Sequence, residues 1–346
     1  GEDIQDFQCD PGWQGARIAR ELVHYWSNPD TTAAAVGNVV TVTPKVGITI
    51  TQLDFGLTEF AGHPANALVF TITTPAPNTG FFLPVTAKAG AYDAQIAWGD
   101  GSTDHLTAHD APERKHVYAA AGTDDVSITG KFTSLSFYSK TEVRPSALLV
   151  KAVKQFGAVQ LATANSGFFG CSNLISVQAG TGDGTAITTV AEIFRNCAKL
   201  HSVDLSNYAL PNVSNFSSFV RGSVSVSSVK LPALPKVTNI GYAFDSSPSK
   251  LESPPFDPKT MGPMALTTCL GAFTGIKTTP GLDLSLWNVS GLTTASGMLF
   301  ASAAISTAVY DQILIAWAAQ TVKPAVPAGF GASKYSAAGK VARDIL

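Results

Sequence analysis

The chain has 346 residues, of which 45 % are hydrophobic and only 14 % charged, with a net charge of −2. Ala, Ser, Thr and Gly fill the gap, which disfavours a coiled coil or helical bundle and makes a β-rich protein the expectation. Residues 1–150 carry 9 basic and 16 acidic side chains and residues 151–346 carry 14 and 9, a rear excess too dilute for a nucleic-acid groove.

The first 45 residues differ from the rest of the chain. Ala16, Ile18, Ala19, Leu22, Val23 and Trp26 fall on one stripe of a helix predicted from Gln14 to Ser27, which Asn28-Pro29 stops. With Trp13 and Tyr25 nearby, this amphipathic helix needs a surface to cover, either on its own chain or on a larger assembly. Residues 1–45 are therefore read as an anchoring or docking segment.

From Val39 to about Tyr138 the pattern is strand-like, with alternation in Val40-Thr41-Val42-Thr43, Ile48-Thr49-Ile50 and Val69-Phe70-Thr71-Ile72 between Gly, Pro and Asn. This pattern predicts a β-sandwich over residues 46–145. Within it, the alternating strand Ala94–Ala97 runs into Trp98-Gly99-Asp100-Gly101, and Asp-Gly is a strong hairpin signal. His116-Val117-Tyr118, Gly122 and Val126-Ser127-Ile128-Thr129-Gly130 come next. This order, W-G-D-G, H-x-Y, G and V-x-I-x-G, resembles the PKD-like domains of secreted and surface proteins over about 60 residues. The resemblance implies an immunoglobulin-like sandwich used as a spacer or binding module, with Trp98 in its core and Asp100 and Gly101 shaping the turn.

Pro145 and Leu148-Leu149-Val150 lead into a third part, residues 146–346. Phe169, Phe194, Phe219, Phe244, Phe273 and Phe300 recur there at intervals of 25, 25, 25, 29 and 27 residues. A period of this length marks units that bury an apolar face only by stacking on one another, so these phenylalanines are expected as core rungs of a solenoid. The triplets Val213, Phe216, Phe219 and Val237, Ile240, Phe244 predict a short helix or 3₁₀ turn before each rung. Leu174 and Val177, then Leu200, Val203 and Leu205, then Val226, Val229 and Leu231, and Leu282 and Leu284, predict one strand per turn. At about 4.8 Å per strand, six turns would extend roughly 30 Å.

The units Phe168-Phe169-Gly170-Cys171-Ser172-Asn173-Leu174-Ile175-Ser176-Val177 and Val237-Thr238-Asn239-Ile240 leading to Phe244 resemble BspA-type leucine-rich repeat proteins over residues 155–305. That family reads roughly V-T-N-M-S-x-M-F-x-G-C-x-x-L-x-S-L-D-L-S and occurs on bacterial and protist surfaces and in bacteriophage structural proteins. Here Gly-Cys is intact only at Gly170-Cys171, and an insertion lies around Ser253-Pro254-Pro255. Tyr310–Gln320 is predicted as a helix with Ile313, Leu314 and Trp317 on one side, closing the last turn; the stretch Lys334–Gly339 also fits the family's end.

Chemistry is sparse. Asp104, His105, His109, Asp110 and His116 form the one His/Asp cluster, and its place after a hairpin turn favours a solvated loop over a metal site. Asp204 and Asp283 lie inside predicted strands, which argues against the paired carboxylates of a glycan-degrading enzyme. No Ser-His-Asp set, phosphate loop or Walker motif is visible. Cys171, Cys197 and Cys269 sit near repeat phenylalanines and read as small buried free thiols. The sequons at Asn212, Asn215 and Asn288 arise from the repeat itself.

These readings predict a non-enzymatic recognition protein without metal or cofactor. The setting expected is a bacteriophage virion, as tail fibre, spike or head decoration, since the sequence opens without a leader and its thiols suit assembly in a cytoplasm. Expected partners are other virion proteins through the N-terminal segment and a host-surface glycan or protein, with assembly as a homo-oligomer and neither nucleic-acid binding nor membrane insertion. A bacterial secreted or surface-anchored adhesin is the alternative, and a glycan-degrading surface enzyme the second. Within the solenoid, recognition is expected at the variable Ser, Thr and Asn positions between rungs.

Overall fold

A computed structural model describes residues 31–36, 39–44, 63–86, 92–138, 141–180, 182–245, 265–276 and 282–346. The helix predicted over Gln14–Ser27, the Ile48–Ile50 strand and the Ser253–Pro255 insertion lie outside them. The chain forms two compact units, residues 1–61 and 62–346. In the first, strand β1 (Thr31–Val36) pairs antiparallel with β2 (Val39–Pro44), with Val36 opposite Val39.

The second unit is mainly β. Its first strands are β3 (Leu68–Thr74), β4 (Thr79–Phe82), β5 (Asp93–Ala97), β6 (Thr103–Leu106), β7 (Lys115–Tyr118) and β8 (Gly122–Lys131). A short helix α1 (Arg144–Ala147) then leads into β9 (Val150–Gln155). The parallel strands β10 (Ser176–Gln178), β12 (Ser202–Asp204) and β14 (Ser228–Lys230) come after it, with β11 (Gly182–Asp183) and β13 (Tyr208–Ala209) pairing beside them. One eight-stranded sheet runs in the order β14-β12-β10-β9-β3-β8-β5-β6. It is antiparallel from β6 to β9 and parallel from β9 to β14.

Strand β9 is the joint. It pairs antiparallel with β3, with two register shifts, and parallel with β10. Backbone hydrogen bonds therefore cross the place where residue 145 was expected to end one domain and 146 to begin another. The core is also continuous. On β3, Phe70 and Ile72 point inward, and the separate β4-β7 pair covers them through Phe81, 5.9 Å from Phe70 and 6.5 Å from Trp98 between ring centroids. Phe168 touches Phe70 at 6.3 Å, Phe137 at 5.9 Å and Phe156 at 6.1 Å on one side, and stacks on Phe194 at 5.8 Å on the other. Burying one such side chain stabilises by roughly 2–3 kcal/mol, so these contacts weld the halves together.

Beyond β9 the chain repeats in parallel. Val153, Val177, Val203 and Val229 are opposite one another on neighbouring strands and are buried. A second ladder is made of turns: the amides of Phe168, Phe194, Val220, Phe244, Phe273 and Leu299 each donate to a carbonyl of the next turn, at 2.7–3.0 Å. The residue two before each of these, Ser166, Glu192, Ser218, Tyr242, Gly271 and Gly297, has a positive φ between 54° and 59°. That left-handed residue recurs in every turn, and the ladder bonds offset its cost of about 1–2 kcal/mol for a residue with a Cβ.

The 3₁₀-type turn expected before each rung is present as i→i−3 bonds, as in Gly167 to Ala164 and Ile193 to Val190, and the left-handed residue stops it from growing into a helix. The register corrects two other sequence expectations. Phe169 is half-buried, and Phe168 occupies the core position. Phe300 is 67 % exposed, and Leu299 takes its place. Phe194, Phe219, Phe244 and Phe273 are buried as expected, although Val220 carries the rung amide in its turn while the Phe219 ring stacks on Phe216 at 4.0 Å.

The end of the chain holds α2 (Thr307–Ala318), whose Tyr310, Ile313, Leu314 and Trp317 are buried, and α3 (Ala337–Ile345). Ser306 caps α2 by accepting from the Val309 amide, as Ser336 caps α3 by accepting from Ala338.

Candidate functional site

In the antiparallel region the motif residues are structural. Trp98 is fully buried, its indole N–H donates to Asp104 at 2.7 Å, and its ring stacks on His116 at 4.7 Å. Tyr118 donates to the Trp98 carbonyl at 2.9 Å, and burial raises its phenol pKa. Gly99 and Gly101 both have φ near +93°, and a Cβ on Gly99 would lie 2.8 Å from the Asp125 amide. Asp100 accepts from the amide and hydroxyl of Ser102 and pairs with His116 at 2.8 Å. Burial opposes its charge, yet these bonds hold its pKa down at about 2. Ser102, His116 and Asp100 are the residue types of a nucleophilic triad, but one nitrogen, Nε2, serves both neighbours, so the set clamps a turn.

The His/Asp cluster is divided among separate partners. His105 pairs with Asp93 at 2.7 Å, His109 lies 3.8 Å from Asp110, and Asp104 and His116 serve Trp98 and Asp100. Among the described residues no group of three or more His, Cys, Asp or Glu could hold a metal. Asp204 and Asp283 are likewise apart: each accepts from the amide two residues on, Ser206 at 3.1 Å and Ser285 at 2.9 Å. Burial works against the charge of Asp204, but Ser206 and Lys230 lower its pKa overall. Cys171, Cys197 and Cys269 are buried free thiols, and burial raises the pKa of all three. Cys197 donates to the Phe168 carbonyl at 3.1 Å, as Ser223 does to Phe194 one turn later at 2.7 Å.

Several Ser, Thr and Asn positions expected to carry recognition are spent on the framework. Thr163, Thr189, Asn215, Asn239 and Thr294 each accept from the amide two residues on, at 2.9–3.3 Å. Ser214, Thr238, Thr267 and Thr293 donate their hydroxyls to the carbonyl of a neighbouring turn at 2.8–3.4 Å.

A pair of columns flanks the turn ladder. One holds the residues immediately after each rung amide, of which Phe169, Arg195, Arg221 and Thr274 are half-buried, Phe300 is exposed and Asp245 is buried; the other holds the left-handed positions, of which Glu192 and Tyr242 are half-buried. Their side chains interlock. Arg195 pairs with Glu192 and lies 5.5 Å from the Phe169 ring. Arg221 pairs with Asp245 at 2.8 Å and lies 4.5 Å from the Tyr242 ring, which crosses Gly271 where a Cβ would come within 2.7 Å of it. At one end, half-exposed Tyr138 packs on Phe169 at 4.6 Å, with Arg144 4.7 Å over its ring. Guanidinium groups lying over these rings present cation, ring and fork-shaped donors together. The spacing of the phenylalanines signalled these columns, since Phe169 and Phe300 belong to them, but reading every Phe as core concealed it.

Comparison with protein-family models, with curated proteins and with solved structures finds no match for the chain.

Proposed function

We propose that this chain is a non-enzymatic recognition protein displayed on a particle surface. Its setting is a bacteriophage virion, as tail fibre, spike or head decoration, and its target a host-surface glycan or protein. The finer architecture proposed is a PKD-like, immunoglobulin-type sandwich over β3–β8 and a leucine-rich-repeat-like solenoid from β9 onward. Parallel rungs at steps of 24 to 29 residues support the second assignment.

The observation that carries the function is the outward aromatic and arginine column from Tyr138 to Tyr242. These side chains are exposed or half-buried, and each ring is paired with a guanidinium or a second ring into one connected surface. A rigid ladder presenting such groups in consecutive turns suits an extended ligand.

The test is twofold. Immunogold labelling or mass spectrometry of purified particles should find the chain on virions, whereas recovery solely from a bacterial envelope would replace this setting with the adhesin. Fluorescent protein should label host cells, and a triple variant, Phe169→Ala, Arg195→Ala and Tyr242→Ala, should bind about tenfold or more weakly with its fold retained. Unchanged binding by that variant would remove the column from the site.

A further inference from the structure

The structure holds a cavity of 210 Å³ between the last stacked turn and the two terminal helices, remote in sequence from the aromatic column. Val289 and Leu292 form its floor; Tyr310, Leu314 and Trp317 of α2 and Phe330 of the returning segment form its walls. These six residues are at most 8 % exposed. The walls are locked: the Trp317 indole donates to the Leu284 carbonyl at 3.0 Å, the Gln320 amide is held by both Val289 and Trp287, and Phe330 packs against Tyr310 at 4.8 Å and Trp317 at 5.5 Å. An apolar cavity of ~150 Å³ is enough to admit benzene, so a rigid one of this size is a site for a small apolar group.

The charged side chains of the lining have one sign, and Leu346 borders the cavity beside them. Lys323 and Arg343 border the cavity, and no Asp or Glu among the described residues does. Lys323 gives one ammonium proton to the Gly291 carbonyl at 3.0 Å, which leaves two donors. Arg343 leans on the Tyr335 ring at 5.4 Å, and its nearest carboxylate, Asp344 at 3.9 Å, is bound more closely by Lys340 at 2.5 Å. At the roughly 30 Å³ that one water takes in the liquid, a measure a methylene group matches in size, the space takes about seven carbons.

From the apolar walls, the size and the two cations, we propose that this cavity binds an amphipathic carboxylate of about eight carbons, its tail against Trp317 and Phe330 and its head between Lys323 and Arg343. The cations supply the sign preference and the walls the length limit.

Calorimetric titration of the full chain with octanoate, octanol and octyltrimethylammonium tests this. Octanoate should bind with a Kd of about 1 mM or tighter, and the other two at least tenfold more weakly. The double variant Lys323→Gln and Arg343→Gln, at exposed positions, should cost octanoate about tenfold and leave octanol unchanged. Val326→Trp, at a half-buried wall, should abolish uptake of octanoate and octanol. Equal affinity for octanoate and the ammonium, octanoate binding that survives Val326→Trp, or no octanoate heat up to about 5 mM would each overturn the proposal. Since no residue of the aromatic column is altered, the outcome is independent of whether that column recognises a host.

Discussion

The antiparallel region and the stacked turns share one sheet but are specified differently. Around Trp98, stability rests on single non-repeated contacts: an indole to Asp104, a histidine to Asp100, a phenol to a backbone carbonyl. Beyond β9, the same few bonds recur in turn after turn, and losing one leaves equivalents above and below. The cost of a local defect should therefore follow how deeply its bonds are buried in either region, and be largest where a residue joins the two.

Phe168 is that residue, and Phe168→Ala should have the largest effect, a loss of about 4 kcal/mol. It contacts both regions, so circular dichroism and tryptophan fluorescence should report one earlier transition; two separated transitions would show that the regions unfold independently. Next comes Ser223→Ala, which strands the Phe194 carbonyl and the Cys197 amide, for about 2 kcal/mol by urea unfolding. Ser223→Cys should recover much of it, because Cys197 already makes the corresponding bond with sulfur.

Asp100→Asn should cost about 1 kcal/mol near neutral pH. The pH dependence sharpens the comparison. The folded pKa of Asp100 is depressed to about 2, so its contribution is full above the unfolded carboxylate value of about 3.9 and is lost as pH falls through 2. Stability differences between wild type and Asp100→Asn should accordingly shrink across that acid window, and a constant difference would reject the charged clamp. The smallest effect belongs to Phe300→Ala, within about 0.5 kcal/mol, since its ring is largely in solvent. A loss comparable to that of Phe168→Ala would restore Phe300 to the core.

The β-rich character, the repeat period and the inward valines were legible because burial leaves a periodic trace in residue type. So was the turn at Asp100-Gly101, which the positive φ of Gly101 serves. Two things were illegible. Phe168 and Phe169 are adjacent phenylalanines, and composition does not say which one faces inward; the ladder of backbone bonds decides. Likewise Thr189, Asn215 and Asn239 look like variable polar surface until their bonds to the backbone are seen.

By itself the sequence determined that this protein is mainly β, that its second half repeats similar units, and that Asp100 and Gly101 make a turn after a strand. Periodicity and turn chemistry act over neighbouring residues and can be read along one chain. Only the tertiary structure decided that β9 fuses the two regions into one sheet, which phenylalanines are core, and that Lys323 and Arg343 border one apolar cavity. Those outcomes depend on register and on contacts between residues far apart in sequence, where a shift of a single position turns a side chain from core to solvent.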